Sequence, residues 1–427
     1  NDIVNPNKRD TNFGPVGPYA FYMGINDSQV INPLVEIHPD NYQRQNRSNS
    51  LIANVYLEYE ITPGLKFKTS YSGYNNNIRE GEYRGTYTKS RKGSRSPIAS
   101  TNQFKTSNYT IDNTLTYIAE FGKHSVNATA LASIFEEYYE QIGLAVEDLP
   151  YKSLWHSLGT GATVTNYGSN LEEYSIASYM GRINYGFDDK YLLTLTGRYD
   201  GASQLAEGNK WAFFPSAAIG WRLSEESFIQ DLGVFNNLKL RVSYGEVGNN
   251  ASISPYATQA NIFQTFYDFD GTPSLGYTIN ALSNQGIVWE RSKEINVGLD
   301  FSLSDLPISG TIEYYKRNTE DLILDDKVPN STGFNNVLGN VGEIENSGIE
   351  VSLNSVNVST GDFRWTSNLT FTANDDKVVK LAGGLTEDIG NARFVGESVR
   401  AYYTYKFEGI WQLGQEAEAA EFGQVPG

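Results

Sequence analysis

Hydrophobic and polar residues alternate along most of this chain. In "NVGEIENSGIEVSLNSV", residues 340–356, Ile349, Val351 and Leu353 fall on one side, with Glu350, Ser352 and Asn354 on the other. A period of two is that of a β-strand with one apolar and one wet face. The same pattern runs through 51–61, where Leu51, Val55, Leu57, Tyr59 and Ile61 oppose Asn54, Glu58 and Glu60. After "TPG" it resumes with Leu65, Phe67 and Tyr71 against Lys66, Lys68, Ser70 and Ser72. Further strands are expected near 105–119, 124–135, 174–187, 191–201, 211–223, 238–245, 293–303, 309–323, 346–354, 363–373 and 400–411. That makes about thirteen, almost without helix; 224–232 is expected to hold one helical turn.

The apolar face is either a buried core or a surface for lipid. Many of these strands run 10 to 15 residues, against a mean of about 5 to 6 in soluble proteins. The connections also sort by length. Those at 62–64, 120–123, 188–190 and 304–308 are short, and those at 80–104, 140–173, 248–289 and 324–345 are long. Tight turns on one side and long loops on the other are the pattern of an outer-membrane barrel. On that reading Phe363, Trp365, Leu369 and Phe371 meet lipid, with Ser367 the exception, as do Ile295, Val297, Leu299 and Phe301. Arg364, Thr366, Asn368, Thr370 and Thr372 line a lumen, with Asn296, Asp300 and Ser302. A soluble β-sandwich would bury the same apolar faces, and the alternation alone leaves it open.

Composition agrees with strands and turns. Tyr (29), Gly (40), Asn, Ser and Thr are abundant, and aromatics reach 13%. The mean hydropathy of −0.43 fits a wall that is wet on one face. With no Cys there are no disulfides, thiolate metal sites or Cys nucleophiles. A net charge of −17 opposes nucleic-acid binding, which needs a basic surface. The basic run "YTKSRKGSRS" (87–96) reads as a solvated loop tip. No run approaches the ~18 to 20 apolar residues of a membrane helix, but a spanning strand needs only ~9 to 11. The opening "NDIVNPNKRD" has no signal-peptide pattern.

Several stretches resemble barrel strands of SusC/RagA-type TonB-dependent transporters: "YLLTLTGRYDGAS" (191–203), "WAFFPSAAIGWRLSEESFI" (211–229), "LKLRVSYGEVGNN" (238–250), "WERSKEINVGLDFSL" (289–303), "GTIEYYKRNTEDLI" (310–323), "NVGEIENSGIEVSLN" (340–354) and "VGESVRAYYTYKFEGIW" (395–411). Their order and spacing carry the resemblance, which is strongest from about 170 onward. It implies an all-β, transmembrane antiparallel β-barrel of 22 strands around a plug domain. It also implies TonB-driven import of a nutrient, oligosaccharide or peptide, across the outer membrane of a Gram-negative bacterium. A SusD-type surface lipoprotein would act as a lid, and no enzymatic activity or cofactor is implied. Plug, TonB-contact segment and final strands are not recognisable here. An open sheet of about thirteen strands would expose its edges in lipid. Residues 1–427 are therefore expected to be a portion of one barrel domain: 1–47 loop-rich, 48–412 strands with long outer loops, 413–427 an incomplete loop. By strand count the segment after 412 falls on the short-turn side. A siderophore-type receptor without a lid, or a soluble glycan-binding or adhesion module, are the alternatives.

Little else in the sequence points to chemistry. His38, His124 and His156 are scattered, with no second ligand at metal spacing, and read as ordinary surface or lumen residues. The pairs Asp188-Asp189, Asp325-Asp326 and Asp375-Asp376 read as turn residues rather than calcium ligands. There is no G-x-S-x-G or phosphate-loop motif, and no Glu/Asp pair stands out as a glycosidase pair. N-x-S/T triplets such as those at Asn108 and Asn368 arise by chance in Asn- and Thr-rich strands. The long segments hold Trp155, Tyr167, Phe263, Phe266, Tyr267, Phe269 and Tyr277. Aromatic faces stack on sugars and anchor protein interfaces. "NIFQTFYDFDGTPSLGY" (261–277) is the expected outer contact for solute or lid; packing on neighbouring loops is the plainer use of these rings.

Overall fold

From Tyr42 onward the alternation becomes hydrogen bonding. The computed structural model describes residues 38–425, apart from 40, 92–94, 280 and 305. In chain order the strands are β1 (Tyr42–Thr62), β2 (Leu65–Arg84), β3 (Ile98–Phe121), β4 (His124–Glu147), β5 (Thr163–Phe187), β6 (Tyr191–Ala202), β7 (Trp211–Arg222), β8 (Phe235–Asn249), β9 (Ile262–Phe269), β10 (Thr272–Ile279), β11 (Glu290–Leu303), β12 (Ile308–Lys327), β13 (Asn336–Ser359), β14 (Arg364–Lys380), β15 (Glu387–Asp388) and β16 (Arg393–Phe394). Twelve of them form one sheet in the order β1–β8, β11–β14, each antiparallel to its neighbour in the chain. The β9–β10 hairpin is inserted between β8 and β11, and β15–β16 form a minimal pair. The expected helical turn is a 3-10 turn at Leu223–Glu225 followed by one α-turn at Ser227–Gln230.

Turn chemistry fixes the tight side. Asp188 and Asp189 both adopt left-handed φ values, 55° and 52°, at the centre of the turn that the Lys190 amide closes on the Phe187 carbonyl. Gly64 has φ of 82°, and a side chain there would collide with the carbonyl of Ile118. The other two aspartate pairs are not turn residues. Asp325 and Asp326 lie in β12, and Asp375 and Asp376 lie in β14. Asp376 accepts hydrogen bonds from Ser398 Oγ and the Val399 amide. No metal-ligating cluster occurs among the described residues.

The strands are far longer than the alternation suggests. β3, β4 and β13 have 24 residues and β5 has 25. Much of what reads as long loop, including 80–84, 98–104, 140–147, 163–173 and 336–345, is strand. The extension "NNNIREGEYR" (75–84) is mostly polar on both faces, so little contrast marks it. Each extension is held by the same ladder as the rest of its strand. The long-side connections shrink to 85–97, 148–162, 203–210, 250–289 and 328–335.

Two other expectations change. Residues 400–411 alternate but join no strand, and Tyr402 and Tyr405 are 101% and 99% exposed. Alternation records two faces, whereas a strand also needs a neighbouring ladder, so the main sheet has twelve strands. Because β14 runs toward the long-loop side, the segment from 381 sets out on that side and not on the short-turn side. The loop-rich reading of 1–47 gives way at Tyr42 to β1; residues 1–37 lie outside the described residues. Burial concentrates where loops fold back on the strands. One core holds Ala202, Leu205, Phe214, Ile253, Ile287 and Trp289; another holds Tyr83, Val146, Leu149, Trp155 and Leu158.

Candidate functional site: a lipid belt, a lumen wall and the outer loops

Register aligns the apolar positions of successive strands into rows. One row runs Leu65, Tyr117, Ala128, Ile183, Leu195, Ala217, Tyr244 and Ile295, from β2 to β11. Another runs Val242, Val297, Tyr314, Ile349 and Ala373, from β8 to β14. Two lines of rings bound this belt. On the short-turn side the rings of Phe121, His124, Phe187, Tyr191 and Trp221 follow one another from β3 to β7, with successive centroids 5.3, 5.1, 6.4 and 6.3 Å apart. On the other side Tyr179 and Tyr199 flank Trp211 at 6.1 and 4.9 Å, and Tyr71 stacks on Tyr109 at 6.2 Å. From Tyr191 to Tyr199 is eight residues and from Trp221 to Trp211 is ten, which is about 26 to 33 Å along the strand. A tilt of about 40° reduces this to roughly 20 to 25 Å, the height of a lipid-facing band between aromatic girdles.

The opposite face is polar and cross-linked. Arg241 meets Asp300 through two bonds of 2.9 Å and Glu313 through one of 2.8 Å, and Asn296 Nδ2 donates to Glu313. Arg198 binds Asp200 and Ser178, Arg317 pairs with Glu294, and Arg182 donates to Thr196. Asn296 and Asp300 thus sit on the wet side, as their positions predict. These bidentate and charge-assisted contacts stiffen a wall that remains open to water.

The short turns clip one another. Lys123 pairs with Asp188 at 2.7 Å, joining the β3–β4 and β5–β6 turns. In the β7–β8 turn the Glu226 carboxylate accepts from the Tyr191 hydroxyl (2.7 Å) and Trp221 Nε1 (3.1 Å) and meets Lys190 (3.4 Å). These partners, the tyrosine first, hold the Glu226 carboxyl below its ordinary value of 4.5. His124, in the ring row, hydrogen-bonds the Tyr185 hydroxyl through Nδ1. His156 lies against Trp155, and the His38 carbonyl accepts from two amides, so no two histidines share a site.

The predicted aromatic residues divide. Trp155 is 6% exposed, seated on Gly81 inside the loop core, where it anchors 148–162. Tyr167 is 76% exposed on the outward side of the projecting part of β5. The other five share the β9–β10 hairpin, closed by Asp270 and Gly271 with φ of 53° and 80°. Phe266 faces Leu275 and Gln264 faces Tyr277 on one side; Phe263, Tyr267 and Phe269 occupy the other, and the Tyr267 and Phe269 rings are 4.8 Å apart. All five rings are exposed. The segment bearing the hairpin is tied at both ends. Asn249 and Ser252 donate to buried Glu290, which also accepts the Ile323 amide; Asn340 exchanges bonds with Val288, and Trp289 Nε1 donates to the Lys210 carbonyl.

A cavity missed by the sequence reading lies at the outer end of the lumen face. Glu137, Tyr139, Glu172 and Tyr174 form one wall and residues 250–255 the other, around about 370 Å³. Alternation marks these strands, but only register brings those four side chains together.

The model of the family described as TonB dependent receptor-like, beta-barrel matches residues 2–423. The chain belongs to this family. It is 33% identical to TonB-dependent receptor P26 of Formosa agariphila over 392 residues, 87% of this chain and 39% of that protein. It is 34% identical to TonB-dependent receptor SusC of Bacteroides thetaiotaomicron over 253 residues, 54% of this chain and 25% of SusC. The chain thus spans about two-fifths of the length of the curated relative P26. The structure of the RagAB peptide transporter superimposes with a TM-score of 0.78 at 23% identity, over 91% of this chain and 43% of that one.

Membership settles which way the apolar face points. This TonB-dependent receptor barrel lies in the outer membrane of a Gram-negative bacterium, its ring-bounded belt meets lipid, and the ion-paired face lines the lumen. The soluble sandwich is excluded. The short turns are periplasmic and the long strands rise outside. Members of this family are receptors and transporters, not enzymes.

Proposed function

We propose that this chain supplies part of the barrel of a SusC/RagA-type importer, which moves an oligosaccharide or peptide across the outer membrane. A SusD-type surface lipoprotein would cap the outer mouth, and the TonB complex would act through a plug domain in the lumen. The observation that carries this reading is the pairing of a lipid-facing apolar belt with a charged, hydrogen-bonded inner wall, the cross-section of a water-filled conduit. Likeness to SusC in sequence and to the RagAB peptide transporter in fold supports the lidded type. The hairpin aromatics Phe263, Phe266, Tyr267, Phe269 and Tyr277, with Tyr167, would meet lid or solute. Trp155 would act indirectly, by holding its loop.

The test is detergent extraction of outer membranes, purification of the protein and mass spectrometry of what accompanies it. A co-purifying surface lipoprotein, with loss of growth on one glycan or peptide source on deletion, is expected. A protein recovered alone, whose deletion abolishes uptake of an iron chelate, overturns the lidded reading in favour of a siderophore receptor.

A further inference from the structure

Where β4 and β5 rise past the end of β6, register sets Glu137 opposite Tyr174 and Tyr139 opposite Glu172. The carboxylates occupy one diagonal of this tile and the tyrosines the other. Diagonal neighbours in an antiparallel ladder are about 7 to 8 Å apart, so two long glutamate side chains can converge on one group. All four residues are half-buried and face the lumen side. The facing wall is preformed: Asn250 Nδ2 donates to Gln204 Oε1 (2.7 Å), Gln204 Nε2 donates to the Ile253 carbonyl (2.6 Å), and Ile253 is fully buried. The cavity between them therefore exists independently of its charge.

Among the described residues no cation balances that charge. Glu137 accepts from Asn108 Nδ2 (3.1 Å) and Glu172 from Asn170 Nδ2 (2.8 Å), and among the described residues neither has an ion pair. Segment 250–289, which closes the cavity, contains no Lys or Arg. Elsewhere on the lumen face Asp200, Asp300, Glu294 and Glu313 all hold an arginine. Aromatic faces are at hand too, since the Phe135 ring lies 5.6 Å from that of Tyr174. Two carboxylates beside ring faces suit a cation on an aliphatic stem, which gains from both charge and cation–π contact.

We propose that this cavity is a subsite for a lysine or arginine side chain of an imported peptide. The inference rests on the importer reading and narrows its solute class. It places the selecting charge on the barrel wall and not on the lid.

The test uses the full-length transporter, purified in detergent with its partner. Binding of Gly-Lys-Gly-Gly is compared with that of the same peptide carrying an acetylated lysine. Wild type is expected to prefer the charged peptide by about tenfold. Glu137→Gln and Glu172→Gln should each lose most of that preference, while the outward-facing Glu140→Gln keeps it. Heat-modifiable gel migration confirms that each variant is folded. If wild type binds both peptides equally, binds neither, or keeps its preference in the Glu137→Gln/Glu172→Gln double variant, the subsite is overturned. Equal binding of both peptides leaves peptide import standing, so the two readings fail separately.

Discussion

The Tyr315 hydroxyl donates to Asn374 Oδ1 at 2.9 Å, reaching from β12 to β14 across the intervening strand β13. The crossing is possible because the residue beneath it is Gly348. A Cβ there would sit 2.8 Å from the Tyr315 ring and 2.6 Å from Asn374 Oδ1, with the Ala373 carbonyl at 2.8 Å. Gly348→Ala should therefore destabilise the barrel by about 1 to 3 kcal/mol through overpacking. Tyr315→Phe, which removes only the bond, should cost about 0.5 to 1.5 kcal/mol. Urea unfolding in detergent micelles, followed by tryptophan fluorescence, ranks the two.

Arg241 is the hub of the lumen network. Arg241→Leu leaves Asp300 and Glu313 facing each other without their cation. The site is partly open to solvent, so a loss of about 1 to 2 kcal/mol is expected, below that of a fully buried pair. Adding Asp300→Asn should recover part of it, and the same unfolding assay measures both.

Glu226 makes the periplasmic turn sensitive to acid. Its folded-state value is depressed by Tyr191, Trp221 and Lys190. The resulting stability is present above the ordinary carboxyl value of 4.5 and is lost as pH falls through the depressed one. Trp221 emission should therefore change at acid pH in wild type, and Glu226→Gln should remove that transition.

Trp155→Ala should act on one loop and leave the wall intact. It empties the space over Gly81 and opens the core beneath 148–162, at a cost of about 3 to 5 kcal/mol confined to that unit. Limited proteolysis should then cut within 148–162 while heat-modifiable migration of the barrel persists.

The hairpin allows the proposed partner contact to be tested apart from folding. Phe266→Asp places a charge at an exposed position and should change barrel stability by no more than about 0.5 kcal/mol. Capture of the lipoprotein should weaken by roughly tenfold or more if Phe266 is an anchor of that interface. Co-purification yields of wild type and variant decide it.

The belt was legible in the sequence because lipid and water impose opposite demands on successive residues. Ile295, Val297 and Leu299 declare their face without any neighbour, and so do Leu369 and Phe371. The projecting walls were not legible, since residues 75–84 and 163–173 carry mostly polar side chains on both faces and no clear period survives. Residues 400–411 show the reverse failure, a clear period with no ladder. Trp155 and the hairpin rings read alike as loop aromatics, yet Gly81 gives one of them a seat, and the others stay exposed among the described residues. Glu137 and Glu172 are 35 positions apart, and only the β4–β5 register makes them a pair.

The overhang of β4 and β5 gives the protein its reach. On β5 the upper ring row lies at Tyr179 and the strand begins at Thr163, sixteen residues or about 53 Å of strand, some 40 Å in height at barrel tilt. The outer rim of the wall is therefore set well away from the lipid belt, so whatever it contacts is met in water and not at the lipid surface.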